Sequence, residues 1–228
     1  MPELYLHEIV DITGRNGARY MEHAVAFHAE DAAGRGLTLL GTWEVVGATG
    51  RWPQVVNVWE LVDGWEGWRR LVRHTNVRKA DNVALAVWWD EALQWRSGGV
   101  DRLCAGAPGC PSLAELRARG VTGELFVHEF SNVHPGAAQE YLRVVERQRR
   151  PMMEDHGHRL VGLYEVLFTD VEVVTVWATT LDAHVRYMAT SGEDPGASTW
   201  QAVARQFVTR WREELMTPHP GSPLAPRR

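Results

Sequence analysis

Hydrophobic and polar positions along the chain predict the same order of elements twice. In the first half, the residue pattern predicts strands at 4–10, 37–46, 54–62 and near 100–105. Helical spacing between them predicts helices at 17–34 and about 64–94. The second half predicts the same order, with strands at 124–130, 158–168, 171–179 and near 213–217. Its predicted helices are at 136–156 and from the third strand to about 211. This βαββαβ order is the split βαβ or ferredoxin-like pattern, an α+β fold class.

Individual residues recur at nearly constant spacing between the two halves. LYLHEI at 4–9 returns as LFVHEF at 125–130, which is 121 residues later, and VVNVW at 55–59 returns as VVTVW at 173–177, 118 residues later. Near the end of each half the spacing is 112, where Trp88 returns as Trp200. Matches that run in order with short length changes indicate a tandem duplication. We therefore expect two modules, spanning 1–116 and 117–228.

Composition narrows the class of protein. The 228 residues are 45% apolar and 23% charged, which is typical of a globular protein. A net charge of −5 offers no basic face for many phosphates, so we expect no nucleic acid partner. We see no secretion signal and no stretch of about 20 apolar residues, so we expect a cytoplasmic protein without a membrane partner. A homodimer of the duplicated chain remains open.

Several of these motifs resemble the NIPSNAP-type branch of the dimeric α+β barrel superfamily. The resemblance lies in a first strand ending near Pro135-Gly136, a following helix that carries Tyr141, and the Val-Val-x-Val-Trp strand. It also includes a Gly-x-aromatic signature, at Gly41-Thr42-Trp43 and again at Gly162-Leu163-Tyr164. The resemblance implies two ferredoxin-like modules that form an intramolecular dimeric α+β barrel.

The chain departs from that family on its first strand. The usual Glu-x-Arg-x-Tyr is absent, and the places are held in the second copy by Val127, Glu129 and Ser131. A function that depends on that arginine is therefore not carried over. Relatives in the wider superfamily include cofactor-independent monooxygenases, polyketide cyclases, lactone isomerases, dehydratases and heme-binding enzymes, and fold alone does not choose among them.

The candidate acid–base residues begin with a His-Glu pair in each copy, His7-Glu8 and His128-Glu129. Neighbouring strand residues point to opposite faces, so the two side chains of a pair serve different surroundings. A histidine is the usual proton shuttle near neutral pH, and burial can raise the pKa of a glutamate toward 7. The alternative is a structural pair that satisfies buried polar groups.

Further candidates follow from position. Glu44 and Glu165 come directly after the Gly-x-aromatic signature and are expected to act as acid or base, or else to form rim ion pairs. His74 is added as a catalytic candidate, with Asn76 as a substrate contact, because both lie in a polar break between helices. The remaining substrate-binding candidates are aromatic or cationic side chains: Tyr20, Trp43, Trp59, Tyr141, Arg149, Tyr164 and Trp177.

These residues predict a cofactor-independent enzyme that uses His and Glu on an apolar or aromatic small molecule, as an isomerase, cyclase, dehydratase or lyase. Eleven tryptophans suit wide apolar walls as well as a core. No paired metal ligands at helical spacing and no phosphate-binding glycine loop appear, so we expect neither metal nor cofactor. The alternatives are a cofactor-free monooxygenase and a non-catalytic binding or scaffold protein.

Overall fold

The chain divides into two compact units. The computed structural model describes residues 3–30, 35–77 and 83–227, with the side chains of 28–30 excepted. The first unit comprises residues up to Leu103 together with the segment 217–227, and the second comprises Cys104–Met216. The sequence repeat places the boundary between the two copies at residues 116 and 117, and the use of that boundary to divide the chain into domains stays a prediction. In the described parts of the chain, no helix has the length and apolar character to cross a membrane.

The first unit is an antiparallel sheet with helices. Its elements are β1 Leu4–Ile12, α1 Gly17–Glu30, β2 Leu37–Val45, β3 Gln54–Leu61, α2 Trp65–Val72, a π-helical turn Arg73–Val77, α3 Val83–Ala92 and β4 Arg96–Gly106, the last of which belongs to this unit up to Leu103. Strand β3 pairs with both β1 and β2, and β4 lies beside β1. The spatial order is therefore β4-β1-β3-β2.

The second unit repeats this arrangement. Its elements are α4 Leu113–Ala118, β5 Leu125–Val133, α5 Ala138–Val144, a π-helical turn Val145–Arg149, α6 Arg150–Asp155, β6 Arg159–Val166, β7 Glu172–Thr179, α7 Leu181–Thr190, α8 Pro195–Ala204 and β8 Val208–Pro218, up to Met216. Strand β5 pairs with β7 and β8, and β6 pairs with β7. The order β8-β5-β7-β6 matches that of the first unit, and this confirms the predicted tandem ferredoxin-like modules.

A shared irregularity strengthens the relationship between the two copies. The register shifts between Leu39 and Gly41 in β2, and between Leu160 and Gly162 in β6. Such a bulge inserts one extra residue and bends the strand. Both copies therefore carry the same local feature at the same place in the fold.

The Gly-x-aromatic signature has a packing cause. Side chains two residues apart on a strand share a face, and here the aromatic ring lies back over the glycine. A Cβ built on Gly41 would lie 2.1 Å from the Trp43 ring, and one built on Gly162 would lie 2.2 Å from the Tyr164 ring. Only glycine leaves room for these rings, which are fully buried.

Each sheet packs its apolar face against its own helices. In the first unit Val10 and Val55 of the sheet meet Tyr20 of α1, and in the second Val127 and Leu163 meet Tyr141 of α5. Burying a large apolar side chain contributes about 1.5–3 kcal/mol, so these contacts fix the helices over the strands. Glu8 and Glu129, which are described below, share a strand face with Val10 and Val127 and therefore lie on this helix-covered side.

Two boundaries differ from the sequence prediction. Strands β4 and β8 begin at Arg96 and Val208, earlier than the predicted 100 and 213, and the preceding helices end correspondingly sooner. Short apolar segments fit either periodicity, and pairing with a neighbouring strand decides between them. The end of the first predicted helix, at 31–34, lies outside the described residues.

Candidate functional site

Glu129 is a carboxylate sealed inside the second unit. It is 1% exposed, and its Oε2 accepts hydrogen bonds from Thr175 Oγ1 at 2.5 Å and from Trp177 Nε1 at 2.8 Å. Arg149 donates to the other oxygen. The register explains the first two bonds, because Glu129 lies opposite Thr175 in the β5–β7 pair and Trp177 projects from the same face.

These contacts keep Glu129 charged. Burial alone raises the pKa of a carboxyl, but the Arg149 charge and the three donors outweigh it and hold the pKa of Glu129 below 4.5. The pKa of Arg149 is raised, because the Glu129 carboxylate overcomes the effect of burial. The pair is therefore ionic at neutral pH.

Arg149 has a donor to spare. The residue is 5% exposed, and its guanidinium lies over the rings of Trp177 and Trp200 at 5.6 and 5.2 Å. Its Nε has no hydrogen-bond partner within the described part of the chain. The residue ends the π-helical turn that interrupts the long helix, a feature common at functional sites. An unpaired buried N–H is costly, so Arg149 is held here at a cost in stability.

Glu213 lies directly opposite Glu129 in the β5–β8 pair. Burial, followed by the Glu129 charge, raises the pKa of Glu213 from 4.5 to about 7, and Arg149 only partly opposes this. Two carboxyls this close do not both ionise readily, so the second holds a proton near neutral pH. Glu213 is half-buried and therefore reachable from solvent.

A cleft of about 460 Å³ within the second unit is lined by both Glu213 and Arg149. Such a volume is in the range of small-molecule sites. The walls are mostly aromatic or apolar and also include cationic, amide and carboxyl groups: Tyr141, Arg149, Tyr187, Met188, Ser191, Ala197, Trp200, Gln201, Ala204, Arg205, Val208, Trp211 and Glu213. The cleft thus combines indole walls, one buried cation and one carboxyl that titrates near neutrality.

The first unit carries a counterpart that differs in charge. Glu8 Oε2 accepts hydrogen bonds from Asn57 Nδ2 at 3.0 Å and from Trp59 Nε1 at 2.8 Å. Burial, followed by the Asp101 charge, raises the pKa of Glu8 to about 7. In the sequence, the residue 121 positions before Arg149 is His28. The first copy therefore keeps the carboxyl pair and the indole donor without the arginine.

The histidines next to these glutamates have separate surroundings. His128 Nδ1 lies 3.0 Å from Glu214 Oε1, and both residues are buried. Burial raises the pKa of Glu214, yet the contacts with His128 outweigh it, and the net shift is downward. His7 is likewise fully buried. His128 and Glu129 contact different partners, as strand alternation requires.

The other predicted site residues lie elsewhere. Glu165 accepts a hydrogen bond from Gln139 near the start of α5, and Glu44 lies against Gly17 at the start of α1, where burial raises the Glu44 pKa. His74 and Asn76 are exposed on a π-helical turn. The aromatic candidates are divided: Tyr141 lines the cleft, Trp59 and Trp177 donate to the glutamates, and Tyr20, Trp43 and Tyr164 are buried.

Sequence reasoning missed the second carboxyl of each pair. Glu213 and Asp101 are 112 residues apart, the same spacing that relates Trp200 to Trp88. The repeat could therefore have identified these two residues as matching carboxyls. Arg149 was predicted only as a cationic substrate contact, and the structure buries it in an ion pair with Glu129. Among residues 3–30, 35–77 and 83–227, no three His, Cys, Asp or Glu side chains gather as a metal site.

Comparison with known proteins identifies solved structures that share this fold. No family model and no curated protein matches the chain. An anthrone oxidase-like protein matches with a TM-score of 0.66 and 10% identity over 96% of this chain and 92% of its own. Candidate monooxygenases of Fusobacterium nucleatum and Lactobacillus acidophilus each match with a TM-score of 0.61 and 9% identity, covering 96% and 95% of this chain and 93% and 94% of theirs.

NIPSNAP family proteins also occur among the similar structures. One of unknown function from Agrobacterium tumefaciens is 25% identical, with a TM-score of 0.40, over 45% of this chain and 94% of its own. The matches that span nearly the whole chain show that it has the α+β fold of the dimeric α+β barrel proteins, and likeness at 9–10% identity speaks for the fold alone.

Proposed function

We propose that the second unit is an enzyme that moves a proton on an apolar or aromatic small molecule, with Glu213 as the acid–base group. The observation that carries this is the Glu129–Glu213 pair under an indole-walled cleft. A carboxyl with a pKa of about 7 is half ionised at neutral pH, where a general acid or base is most effective. A structural ion pair needs neither the cleft nor the second carboxyl.

Arg149 completes the chemistry. Removing a proton next to a carbonyl places negative charge on the oxygen, and a fixed buried cation stabilises that charge. Arg149 lines the same cleft as Glu213. Glu129 holds the guanidinium in place through its ion pair and is a positioning residue. Isomerisation, cyclisation, dehydration and elimination all begin with such a proton transfer.

A second candidate is a cofactor-free monooxygenase. The described function of the Fusobacterium and Lactobacillus matches, together with the anthrone oxidase-like protein, favours it. In that reaction the deprotonated substrate supplies the electrons, so that a ring CH2 and O2 become C=O and H2O. The same Glu213 and Arg149 would serve the first step. An open cleft in the second unit favours either enzyme over a scaffold whose clefts are filled.

The test is proton exchange in D2O on a panel of enolisable benzylic ketones, with 2-tetralone as the first member. We expect deuterium incorporation above the buffer rate, lost in Glu213→Gln and reduced in Arg149→Lys. Anaerobic assay separates the two candidates, because exchange without oxygen and product only with oxygen indicates the monooxygenase. Exchange that is equal in wild type and Glu213→Gln contradicts the proposal.

A further inference from the structure

Helix α8 contributes two kinds of side chain to the cleft of the second unit. Ala197, Trp200 and Ala204 line the cleft with apolar surface, and Gln201 and Arg205 line it as well. Residues four apart on a helix are neighbours on its surface, so Gln201 and Arg205, which follows the last residue of α8, form a polar edge beside the apolar residues. The cleft therefore has a polar edge on α8 in addition to the carboxyl that the proposed function uses.

Of the two arginines that line the cleft, only Arg205 has a charge that no carboxylate of the second unit neutralises. Arg149 is buried in its ion pair with Glu129. Arg205 is exposed, and within residues 104–216, all of which the structure describes, no carboxylate forms an ion pair with it. A guanidinium presents its N–H donors in a planar fork that fits both oxygens of a carboxylate. The polar edge therefore suits a carboxylate, with the amide of Gln201 as a further donor.

The first copy has apolar residues at the same two places. At the spacing of 112 that relates the last parts of the two copies, Gln201 corresponds to Trp89 and Arg205 to Leu93. The first copy forms the same order of strands and helices with these apolar residues. The shared fold therefore does not require the polar edge, which distinguishes the second copy from the first.

The same cleft offers apolar surface for the rest of a ligand. Trp211 is 53% exposed and Met188 is 56% exposed, and both line the cleft. Trp211 and Glu213 are two residues apart on β8, so they share a face of the strand. Covering exposed apolar side chains removes their surface from water and favours binding. An aromatic ligand that covers Trp211 would therefore lie beside the acid–base group.

We propose that the cleft of the second unit takes an aromatic substrate that carries a carboxylate, and that Arg205 and Gln201 bind this carboxylate. The aromatic body then lies along Trp211, with the reacting carbon at Glu213. This substrate class rests on the proposed function, because it concerns the same cleft. The alternative role of Arg205 is to stabilise the C-terminal end of α8, where the helix dipole favours a cation. That role gives no preference for one ligand over another.

The probe is 2-naphthoate, with the neutral 2-naphthalenemethanol as its matched control, and binding is measured by titration calorimetry. The measurement is made at pH 6, where the naphthoate is ionised. Glu213 has a pKa of about 7, so at pH 6 it is mostly protonated and does not repel the probe. We expect the naphthoate to bind at least about tenfold more tightly than the alcohol, because it adds a charge-assisted pair with a guanidinium.

Variants of Arg205 locate the carboxylate. Arg205→Gln is expected to abolish the preference for naphthoate with little change in the affinity for the alcohol, and Arg205→Lys should keep part of the preference. Arg117→Gln removes an exposed arginine of α4 that does not line the cleft, so it is the matched control and should keep the full preference. Equal binding of the two probes by the wild type, no detectable binding of either, or a preference that survives Arg205→Gln overturns the inference.

The substrate class and the proposed function can fail separately in this experiment. Binding of the two probes needs no turnover, so the preference is measured whether or not Glu213 exchanges protons. If proton exchange is lost in Glu213→Gln but the wild type binds the two probes equally, the proposed function stands and the carboxylate site is wrong. If the wild type prefers naphthoate through Arg205 but catalyses no exchange, the carboxylate site stands and the catalytic role fails.

Discussion

Glu129 and Glu213 lie opposite each other on β5 and β8, and the two carboxyls have pKa values shifted in opposite directions. Arg149 and two further donors stabilise the charge on Glu129, and burial together with that charge keeps a proton on Glu213. Pairs of titratable groups whose surroundings separate their pKa values are common in acid–base sites. The predictions below follow from this relationship.

Glu213→Gln is expected to stabilise the protein, and more so at pH 8 than at pH 5. A folded-state pKa of about 7 lies above the ordinary 4.5, so ionising Glu213 costs stability as the pH rises through 7. Glutamine mimics the protonated form, so the gain at pH 8 should be about 1–3 kcal/mol. Urea unfolding at both pH values measures it, with the exposed Glu193→Gln as control. An equal effect at the two pH values contradicts the prediction.

Arg149→Gln is expected to destabilise the second unit by about 3–5 kcal/mol, because it leaves the Glu129 carboxylate buried without its cation. Arg149→Lys keeps the charge but loses the guanidinium geometry, so its cost should be smaller. The lowered pKa of Glu129 also predicts that wild-type stability falls as the pH drops below 4.5, a dependence that Arg149→Gln should lose. Denaturant titrations from pH 3 to 7 decide this, and a loss under about 1 kcal/mol argues against the ion pair's role.

Trp177→Phe and Trp59→Phe make a matched comparison. Each removes one indole N–H from a glutamate while keeping an aromatic ring. Glu129 is sealed, so Trp177→Phe should cost about 1–3 kcal/mol, whereas water can replace the lost donor at the half-buried Glu8. Thermal unfolding of both variants tests the difference. A larger loss from Trp59→Phe is the outcome that disagrees.

Much of the fold could be predicted from the sequence, because repeated hydrophobic patterns and turn residues are local. The strand order and the Gly-x-aromatic positions follow from that pattern. The candidate site was harder to predict from the sequence. Glu129 and Glu213 meet only through the β5–β8 register, and the burial of Arg149 depends on a π-helical turn that no local pattern marks. The pairing of distant segments, which residue types alone do not specify, determined which residues form the candidate site.

Gly162→Ala is expected to destabilise the protein by about 1–3 kcal/mol or more, because its Cβ would lie 2.2 Å from the Tyr164 ring. Gly192 has no heavy atom within 4 Å of the equivalent position, so Gly192→Ala is the matched control with little expected effect. Replacing Tyr164 by leucine in the Gly162→Ala background should recover part of the loss. Comparable losses at both glycines would show that ring packing is not the cause.

The most direct measurement is a carbon-13 NMR titration of the glutamate side-chain carboxyls between pH 4 and 9. The account predicts that the Glu129–Glu213 pair releases its second proton with an apparent midpoint near 7, and that this transition disappears in Glu213→Gln. Glu8 gives a second transition near 7, which Glu8→Gln removes. If no carboxyl resonance lost in Glu213→Gln titrates above pH 5.5, the second unit has no acid–base group poised near neutrality, and the proposed catalytic site is contradicted.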